Sequence, residues 1–264
     1  MKKTYGKDHP NVARDLNNLG IAFATLGDAR QAIGYYERAL AINEKTYGKE
    51  HPDVAKSLNN LGSAWRDLGD ARQAIGYYER ALAIDEKTYG KEHPNVATRL
   101  NNLGVAWANL GDARQAIGYF ERALAIDEKT YGKEHPKVAM RLNNLGLAWA
   151  DLRDARQAIG SYERALAIDE KTYGKEHPKV ARDLFNLGLA WQALGDKYKA
   201  IALFEQAYGL ALSLPGLGPN HPHTKKFKTS LDQAKAGESG LDGGKISVGS
   251  STKQKRAKDK CRIM

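Results

Sequence analysis

Adjacent asparagines recur along the chain and are its clearest candidates for recognition chemistry. They are Asn17 and Asn18, Asn59 and Asn60, Asn101 and Asn102, Asn143 and Asn144, and finally Asn186 alone. A side-chain amide carries donors and an acceptor, so a row of amides can bind the backbone of an extended peptide. Asparagine is a middling helix former, so two in one helix need a reason. The alternative reason is structural, because the same amides can bond neighbouring helices and fix their stacking.

The residues one helical turn before and after the asparagines vary between occurrences, as a specificity surface would. The column before is Arg14, Lys56, Thr98, Met140 and Arg182, and the column after is Ile21, Ser63, Val105, Leu147 and Leu189. The basic members, Arg14, Lys56 and Arg182, predict a ligand with acidic residues. The apolar members Val105, Leu147 and Leu189 predict one large apolar residue in the same ligand.

No constellation in the sequence predicts catalysis or a bound cofactor. The serines and the one cysteine lie outside nucleophile-elbow contexts, and no His-Glu-x-x-His zinc motif occurs. The nearest match to a phosphate loop ends in Gly243-Gly244-Lys245, but Ser239 replaces its first glycine and Ile246 its magnesium-binding residue. We therefore expect no enzymatic activity, no metal and no cofactor.

A repeat of fixed length organises the chain. The dipeptide His-Pro occurs at a period of 42 residues, at His9, His51, His93, His135 and His177, and once more at His221. Apolar residues recur at helical spacing within each unit, so each unit is predicted to form two helices. One such stripe is Leu16, Leu19, Phe23 and Leu26. One histidine per unit cannot converge on a metal, which favours a capping or packing role.

Glycines and capping residues set the predicted helix limits. In the first unit the helices span roughly residues 10 to 26 and 28 to 46, and Asp28 caps the second. Arg153 stands where other units have glycine, which predicts a left-handed residue and a looser turn. Core positions are predicted for the tryptophans, and loop-covering positions for one tyrosine per unit. These are Trp65, Trp107, Trp149 and Trp191, and Tyr47, Tyr89, Tyr131 and Tyr173.

A Leu-Gly pair, an aromatic residue three positions later, and spaced alanine and aromatic residues resemble the tetratricopeptide repeat. In the second unit these are Leu61, Gly62, Trp65, Ala74, Tyr78 and Ala81. The longer unit of 42 residues, with its His-Pro entry and Leu-Asn-Asn-Leu segment, is similar to the repeat of kinesin light chains. The resemblance implies an all-α, right-handed solenoid whose concave groove binds partner peptides through at least one asparagine per unit.

Positive charge is concentrated towards the C-terminus. Residues 9–221 carry 27 basic and 26 acidic side chains, whereas residues 222–264 carry 11 and 4. The final residues Cys261-Arg262-Ile263-Met264 follow a run of lysines and resemble a farnesylation signal beside a polybasic stretch. They predict lipidation of Cys261 and tethering to an anionic membrane surface. The alternatives are a soluble adaptor with an unmodified tail, or a tail that contacts nucleic acid, which we favour less.

Four segments follow from these observations. Residues 1–8 are a partial exit loop, 9–220 are five repeats, 221–236 are a capping helix, and 237–264 are a flexible basic tail. Residues 4–7 copy residues 46–49, which leaves open whether the sequence is a fragment of a longer array or a truncated gene model. Apolar runs are too short to cross a bilayer, no signal peptide is present and there is one cysteine. We therefore predict a cytoplasmic protein, peripheral to a membrane when lipidated.

Overall fold

The described part of the chain consists of helices joined by short turns. The structure is a computed structural model that describes residue 6 and residues 8–239, with side chains as far as residue 236. Eleven helices form there: α1 Pro10–Thr25, α2 Ala29–Tyr47, α3 Pro52–Asp67, α4 Ala71–Tyr89, α5 Pro94–Leu110, α6 Ala113–Tyr131, α7 Pro136–Asp151, α8 Ala155–Tyr173, α9 Pro178–Leu194, α10 Lys197–Ser213 and α11 Pro222–Ser239. Each helix packs chiefly against its neighbours in sequence, which confirms the predicted all-α solenoid.

The odd-numbered helices of the repeats begin at the His-Pro dipeptide. In α3 the ring Nδ1 of His51 accepts a hydrogen bond from the Asp53 N–H at 3.2 Å, and Pro52 occupies the first turn. The ring of Tyr47 stacks on the His51 ring at a centroid distance of 4.4 Å. The same cap and stack recur at the next three exit loops. The predicted capping role of the histidines and the loop-covering role of the tyrosines are confirmed.

The turn inside each unit is closed by a left-handed residue and an aspartate cap. In the second unit Gly69 has φ +91°, and the Asp70 carboxylate accepts a hydrogen bond from the Gln73 N–H at 3.0 Å. In the fourth unit Arg153 adopts φ 63°, the one described non-glycine residue with positive φ. The predicted left-handed arginine is thus present.

The two helices of a unit approach closely because a glycine of the first faces an aromatic ring of the second. A Cβ built on Gly62 would lie 2.6 Å from the Tyr78 ring, and one built on Gly104 would lie 2.5 Å from the Phe120 ring. No larger residue fits without movement of these buried rings. The glycine of the Leu-Gly pair therefore fixes the distance between the two helices.

The tryptophans join one unit to the next. Trp107 packs against the cluster around Tyr78 and also against the cluster around Phe120, and its side chain is half-buried. Trp65, Trp149 and Trp191 bridge successive clusters in the same way. The predicted core positions are confirmed as half-buried positions between successive clusters.

The apolar stripe of α1 is only partly buried. Leu26 is exposed in this unit as its equivalents are in the others, whereas Leu19 is 45% exposed and its equivalent Leu61 is fully buried. Leu61 is covered by α2, the second helix of the preceding unit, together with its own partner helix. In the described part of the chain no helix precedes α1, so the same side chain lacks that cover.

The last helix closes the opposite end. On α11, Phe227 and Leu231 are buried against the cluster of α9 and α10, as predicted for a cap. The Phe227 ring stacks on the Phe185 ring at 4.5 Å. Lys225 and Lys228 stay exposed, so α11 presents a polar outer face at this end of the array.

Candidate peptide-binding groove

The odd-numbered helices line one side of the array. Among helices that are not consecutive in sequence, α3 comes into contact with α5, and α5 comes into contact with α7. In a curved stack, the helices on the inner side are the ones that come closest to each other. The asparagines and both variable columns lie on these odd-numbered helices, so the sequence-predicted site residues share one side of the solenoid.

The middle asparagines bond each other across units. Asn102 Nδ2 donates to Asn59 Oδ1 at 2.8 Å, and Asn144 Nδ2 donates to Asn101 Oδ1 at the same distance. Asn101 is buried, whereas Asn60, Asn102 and Asn144 are half-buried. Part of the asparagine pattern is therefore explained by stacking, while the second asparagine of each pair remains accessible from the groove.

The two ends of the asparagine row are arranged differently. At the first end, Asn17 Nδ2 lies 3.5 Å from Ser57 Oγ, and Asn18 is exposed. At the other end, Asn143 Nδ2 donates to the Ala139 carbonyl at 3.2 Å, and Asn186 is 5% exposed. The Oδ1 atoms of Asn17 and Asn143 are buried and accept no hydrogen bond from described residues. Among the described residues, bonds from one asparagine amide to another across units are thus found in the middle of the row.

The column before the asparagines is exposed over the first four units. Arg14 lies 3.5 Å from Asp15, and Lys56 Nζ donates to Asp53 at 2.9 Å, each on the protein surface. Thr98 and Met140 are exposed as well. Surface pairs of this kind contribute about 0–1 kcal/mol, so Arg14 and Lys56 can exchange their partners for a ligand carboxylate.

Arg182, in the fifth unit, departs from the column. Its side chain is only 13% exposed. Its Nε and one terminal NH₂ donate to Asp183 Oδ1 at 3.0 and 2.8 Å, and the same NH₂ lies 3.4 Å from Asp169 Oδ2. The structure therefore turns the guanidinium of Arg182 towards α8 rather than leaving it in the open groove.

The column after the asparagines is apolar in every unit except the second, and Ile21 in the first unit is 50% exposed. Ser63 is half-buried and its Oγ lies 3.0 Å from the Tyr78 hydroxyl. Burial is the main cause that raises the pKa of Tyr78, with Arg66 opposing it. In the later units Val105 is half-buried, and Leu147 and Leu189 are exposed. The groove thus has exposed basic side chains at the first two units, with the apolar Ile21 beside them, and exposed leucines without a basic neighbour of the column in the open groove at the last two.

Sequence reasoning missed the charged contacts buried between units. Arg99 Nε donates to Asp85 at 2.9 Å, and Arg141 Nε donates to Asp127 at 2.8 Å, with all four side chains nearly inaccessible. Burial lowers the pKa of Arg141, and the Asp127 carboxylate opposes that shift. The signal that could have found them is a separation of 14 residues across the exit loop, repeated with complementary residue types.

The sequence matches a known family of repeats over most of its length. The tetratricopeptide repeat family matches residues 1–45, 27–87, 53–108, 105–170 and 142–213. The chain belongs to this family. Tetratricopeptide arrays are protein interaction scaffolds, and the matched region contains every residue of the groove described above. No curated protein matches the sequence.

Solved tetratricopeptide structures resemble this array. The nearly identical repeats of a kinesin light chain-like protein from Podosopora anserina share 29% identity over 77% of this chain and 97% of theirs, with a TM-score of 0.69. BtubC (BKLC) from P. vanneervenii shares 25% identity over 94% of this chain and 88% of its own, with a TM-score of 0.64. The apo form of RapI, at 17% identity, covers 87% and 85% with a TM-score of 0.67, and supports the fold alone.

The remaining sequence observations concern lipidation, membrane-spanning helices and metal binding. The predicted lipidation site, Cys261, and the basic run before it lie outside the described residues. Within residues 8–239 no helix is long and apolar enough to span a bilayer. The same part of the chain contains no cluster of histidine, cysteine and carboxylate side chains suited to a metal.

Proposed function

We propose that this protein is a non-catalytic, cytoplasmic scaffold that binds an extended, acidic peptide in the groove of its odd-numbered helices. The observation that supports it is the separation of exposed basic side chains from the exposed leucines along the groove. Exposed Arg14 and Lys56 stand at one end, and exposed Leu147 and Leu189 stand at the other. Half-buried asparagines lie between them and offer amides to a peptide backbone.

This separation defines the order of ligand features along the groove. Acidic residues of the peptide lie over the first two units, where a carboxylate can replace the surface partners of Arg14 and Lys56. A large apolar residue lies over the last two units, where Leu147 and Leu189 lose exposed surface on binding. Arg182 is excluded from this primary contact set because its guanidinium is held by Asp183.

Fluorescence anisotropy with synthetic peptides tests the groove. The probe is a short peptide of Glu and Asp residues on one side of a single tryptophan. Its partners for comparison are the same peptide with Lys for the acidic residues, and the same peptide with Ser for tryptophan. We expect the parent peptide to bind best and its affinity to fall with added salt, because the acidic part is attracted by exposed charges.

Three variants separate groove binding from general attraction. Lys56→Glu and Leu189→Ala are expected to weaken the parent peptide by about tenfold each, since interface anchors contribute more than about 1 kcal/mol. Lys91→Glu, on an exposed exit loop, is the matched charge control and is expected to leave affinity nearly unchanged. Equal losses in Lys56→Glu and Lys91→Glu, or no binding of the parent peptide, would contradict the proposal.

We further propose that Cys261 is prenylated and that the basic tail holds the scaffold at an anionic membrane surface. The support is sequence alone: a lone cysteine fourth from the end, a terminal methionine, and lysines and arginines just before it. One lipid chain binds weakly, and a polybasic stretch adds roughly 1 kcal/mol per basic residue near the surface.

Intact-mass spectrometry of the protein from eukaryotic cells tests the anchor. Wild type is compared with Cys261→Ser, and both are fractionated into membrane and soluble pools. A farnesyl mass, loss of the last three residues and membrane recovery that requires Cys261 are the expected results. An unmodified, soluble wild type would overturn the anchor and leave the groove proposal intact. Binding to DNA or RNA that disappears when residues 237–264 are deleted would assign the tail to nucleic acid instead.

A further inference from the structure

The buried contacts between units occupy one equivalent position at every junction. At each, a residue near the end of an even-numbered helix meets a residue in the next odd-numbered helix. Asn43 Nδ2 donates to Ser57 Oγ at 3.0 Å between α2 and α3. Asp85 pairs with Arg99 between α4 and α5, and Asp127 pairs with Arg141 between α6 and α7. Each of these three junctions is electrically neutral, as a buried site requires.

The junction between α8 and α9 breaks this pattern. The equivalent residues are Asp169 and Asp183, two carboxylates that are 1% and 0% exposed. Among the described residues, the cation that contacts both carboxylates is Arg182, which is the neighbour of Asp183 rather than the equivalent of Arg99 or Arg141. Asp169 Oδ1 and Asp183 Oδ2 are buried and accept no hydrogen bond from described residues. With both carboxylates ionised, the junction would carry a buried net negative charge.

We propose that the α8–α9 junction takes up one proton and that this proton controls how firmly Arg182 is held away from the groove. With the proton bound, one guanidinium faces one carboxylate, and the junction is neutral like the other three. Without it, both carboxylates attract Arg182, and the side chain is held between α8 and α9. The proton is transferred from solvent to a carboxylate oxygen, and no other bond forms or breaks.

The surroundings of Asp183 support uptake at that site. Burial raises the pKa of Asp183 to about 7; Arg182 opposes the rise and Asp169 adds to it. Tyr162 of α8 also interacts with Asp183, and burial raises the pKa of Tyr162 above its ordinary value. Phe185, two residues from Asp183, contacts Phe204 of α10 and Phe227 of α11, and the charged Lys226 of α11 lies 5.6 Å from the Phe185 ring.

The proposal gives the groove a pH response, and this consequence rests on the proposed function. Arg182 belongs to the column that presents Arg14 and Lys56 to the groove. Loss of its double carboxylate contact leaves the guanidinium attracted by Asp169 alone, at the longer of the two contacts. Acidification therefore adds a positive charge at the apolar end of the groove, and a ligand that also carries a carboxylate near its large apolar residue would bind more tightly.

The test follows the arginine itself, without any ligand. Full-length protein labelled with nitrogen-15 arginine is studied by NMR at about pH 5.5 and about pH 8.5, on either side of the expected titration. The Arg182 Nε–H signal, assigned with Arg182→Lys, is expected to report a rigid side chain at high pH and a more mobile one at low pH. In Asp183→Asn, which imitates the protonated state, Arg182 is expected to be mobile at both values.

A second variant and a stability measurement guard against misfolding. Asp183→Arg installs the residue found at the equivalent positions 99 and 141, and should abolish the pH response. Between about pH 4 and pH 7 the native state of wild type binds a proton that the unfolded state does not. Its free energy of unfolding in urea should therefore decrease as the pH rises through this window, relative to Asp183→Asn. Unchanged Arg182 order between the two pH values, or the same stability slope in both proteins, would overturn the proposal. Failure of peptide binding would touch the proposed function alone.

Discussion

Arg153 is a residue whose cost can be measured on its own. Its turn has the same hydrogen bonds as the glycine turns, since Arg153 N–H bonds Ala150 O at 3.0 Å and Asp154 N–H bonds Trp149 O at 3.0 Å. The fold therefore holds the Arg153 backbone at φ 63°, and the contact of its Cβ with the backbone in this left-handed conformation costs free energy. We expect Arg153→Gly to raise the free energy of unfolding by about 1 kcal/mol. Urea unfolding followed by circular dichroism measures it.

Arg153→Ala is the matched control for that measurement. It removes the same long side chain but keeps a Cβ, so the left-handed penalty stays and stability should change by less than about 0.5 kcal/mol. A gain of similar size in both variants would assign the effect to loss of the arginine side chain, and would contradict the backbone explanation.

For single residues, the sequence predicted the backbone conformation better than the contacts of the side chain. The left-handed Arg153 followed from a glycine column, because backbone geometry repeats with the unit. The place of Arg182 did not follow, because its column mates are exposed while its own guanidinium is drawn to Asp183, a residue that replaces Arg141 of the unit before. A side chain's direction depends on the partner in the next helix, which a single column does not show.

Helix pairs are joined by buried contacts whose value depends on both partners. Replacing Arg141 by Ser leaves the Asp127 carboxylate buried without a cation, which is expected to cost about 3–5 kcal/mol. The double variant Asp127→Asn with Arg141→Ser recreates the Asn43–Ser57 contact of the first junction. We expect it to recover most of the loss, and a double-mutant cycle in urea measures the coupling.

A surface pair between even-numbered helices provides the control. Arg122 donates to Glu86 at 3.0 Å with about half of its side chain exposed, so Arg122→Ser should cost about 0–1 kcal/mol. Additive losses in the Asp127 and Arg141 variants, with no recovery in the double variant, would show that the junction is a packing contact rather than a charge pair.

For the helices, the period of 42 residues was sufficient to predict where each one begins and ends and which residues cap it. Predicted limits of residues 10 to 26 and 28 to 46 compare with Pro10–Thr25 and Ala29–Tyr47, because histidine, aspartate and glycine mark the ends locally. Leu19 is exposed although its equivalent Leu61 is buried. In the later units a preceding helix covers this position, and no helix precedes α1 in the described part of the chain. The pattern within a helix shows which face is apolar, but the neighbouring helix determines whether that face is covered.

The whole molecule is a chain of nearest-neighbour contacts, so a complete unit can be removed without changing the register of the rest. Excision of residues 94–135 joins His93 to Pro136 and places Arg141 opposite Asp85, a pair equivalent to Asp85–Arg99. The shortened array should keep the helical content per residue of the parent, measured by circular dichroism. Its unfolding midpoint should fall modestly, because one unit and one interface are lost.

Excision of residues 52–93 removes the same length but joins mismatched partners. It places Arg99 opposite Asn43, so a guanidinium is buried where the parent has a neutral amide and hydroxyl. We expect this array to be less stable than the first by about 3 kcal/mol in urea, the cost of an uncompensated buried charge. The two arrays contain equal numbers of helices and nearly identical sequences, so a stability difference reports the junction itself. Equal midpoints would show that the buried pairs do not determine which units can stack.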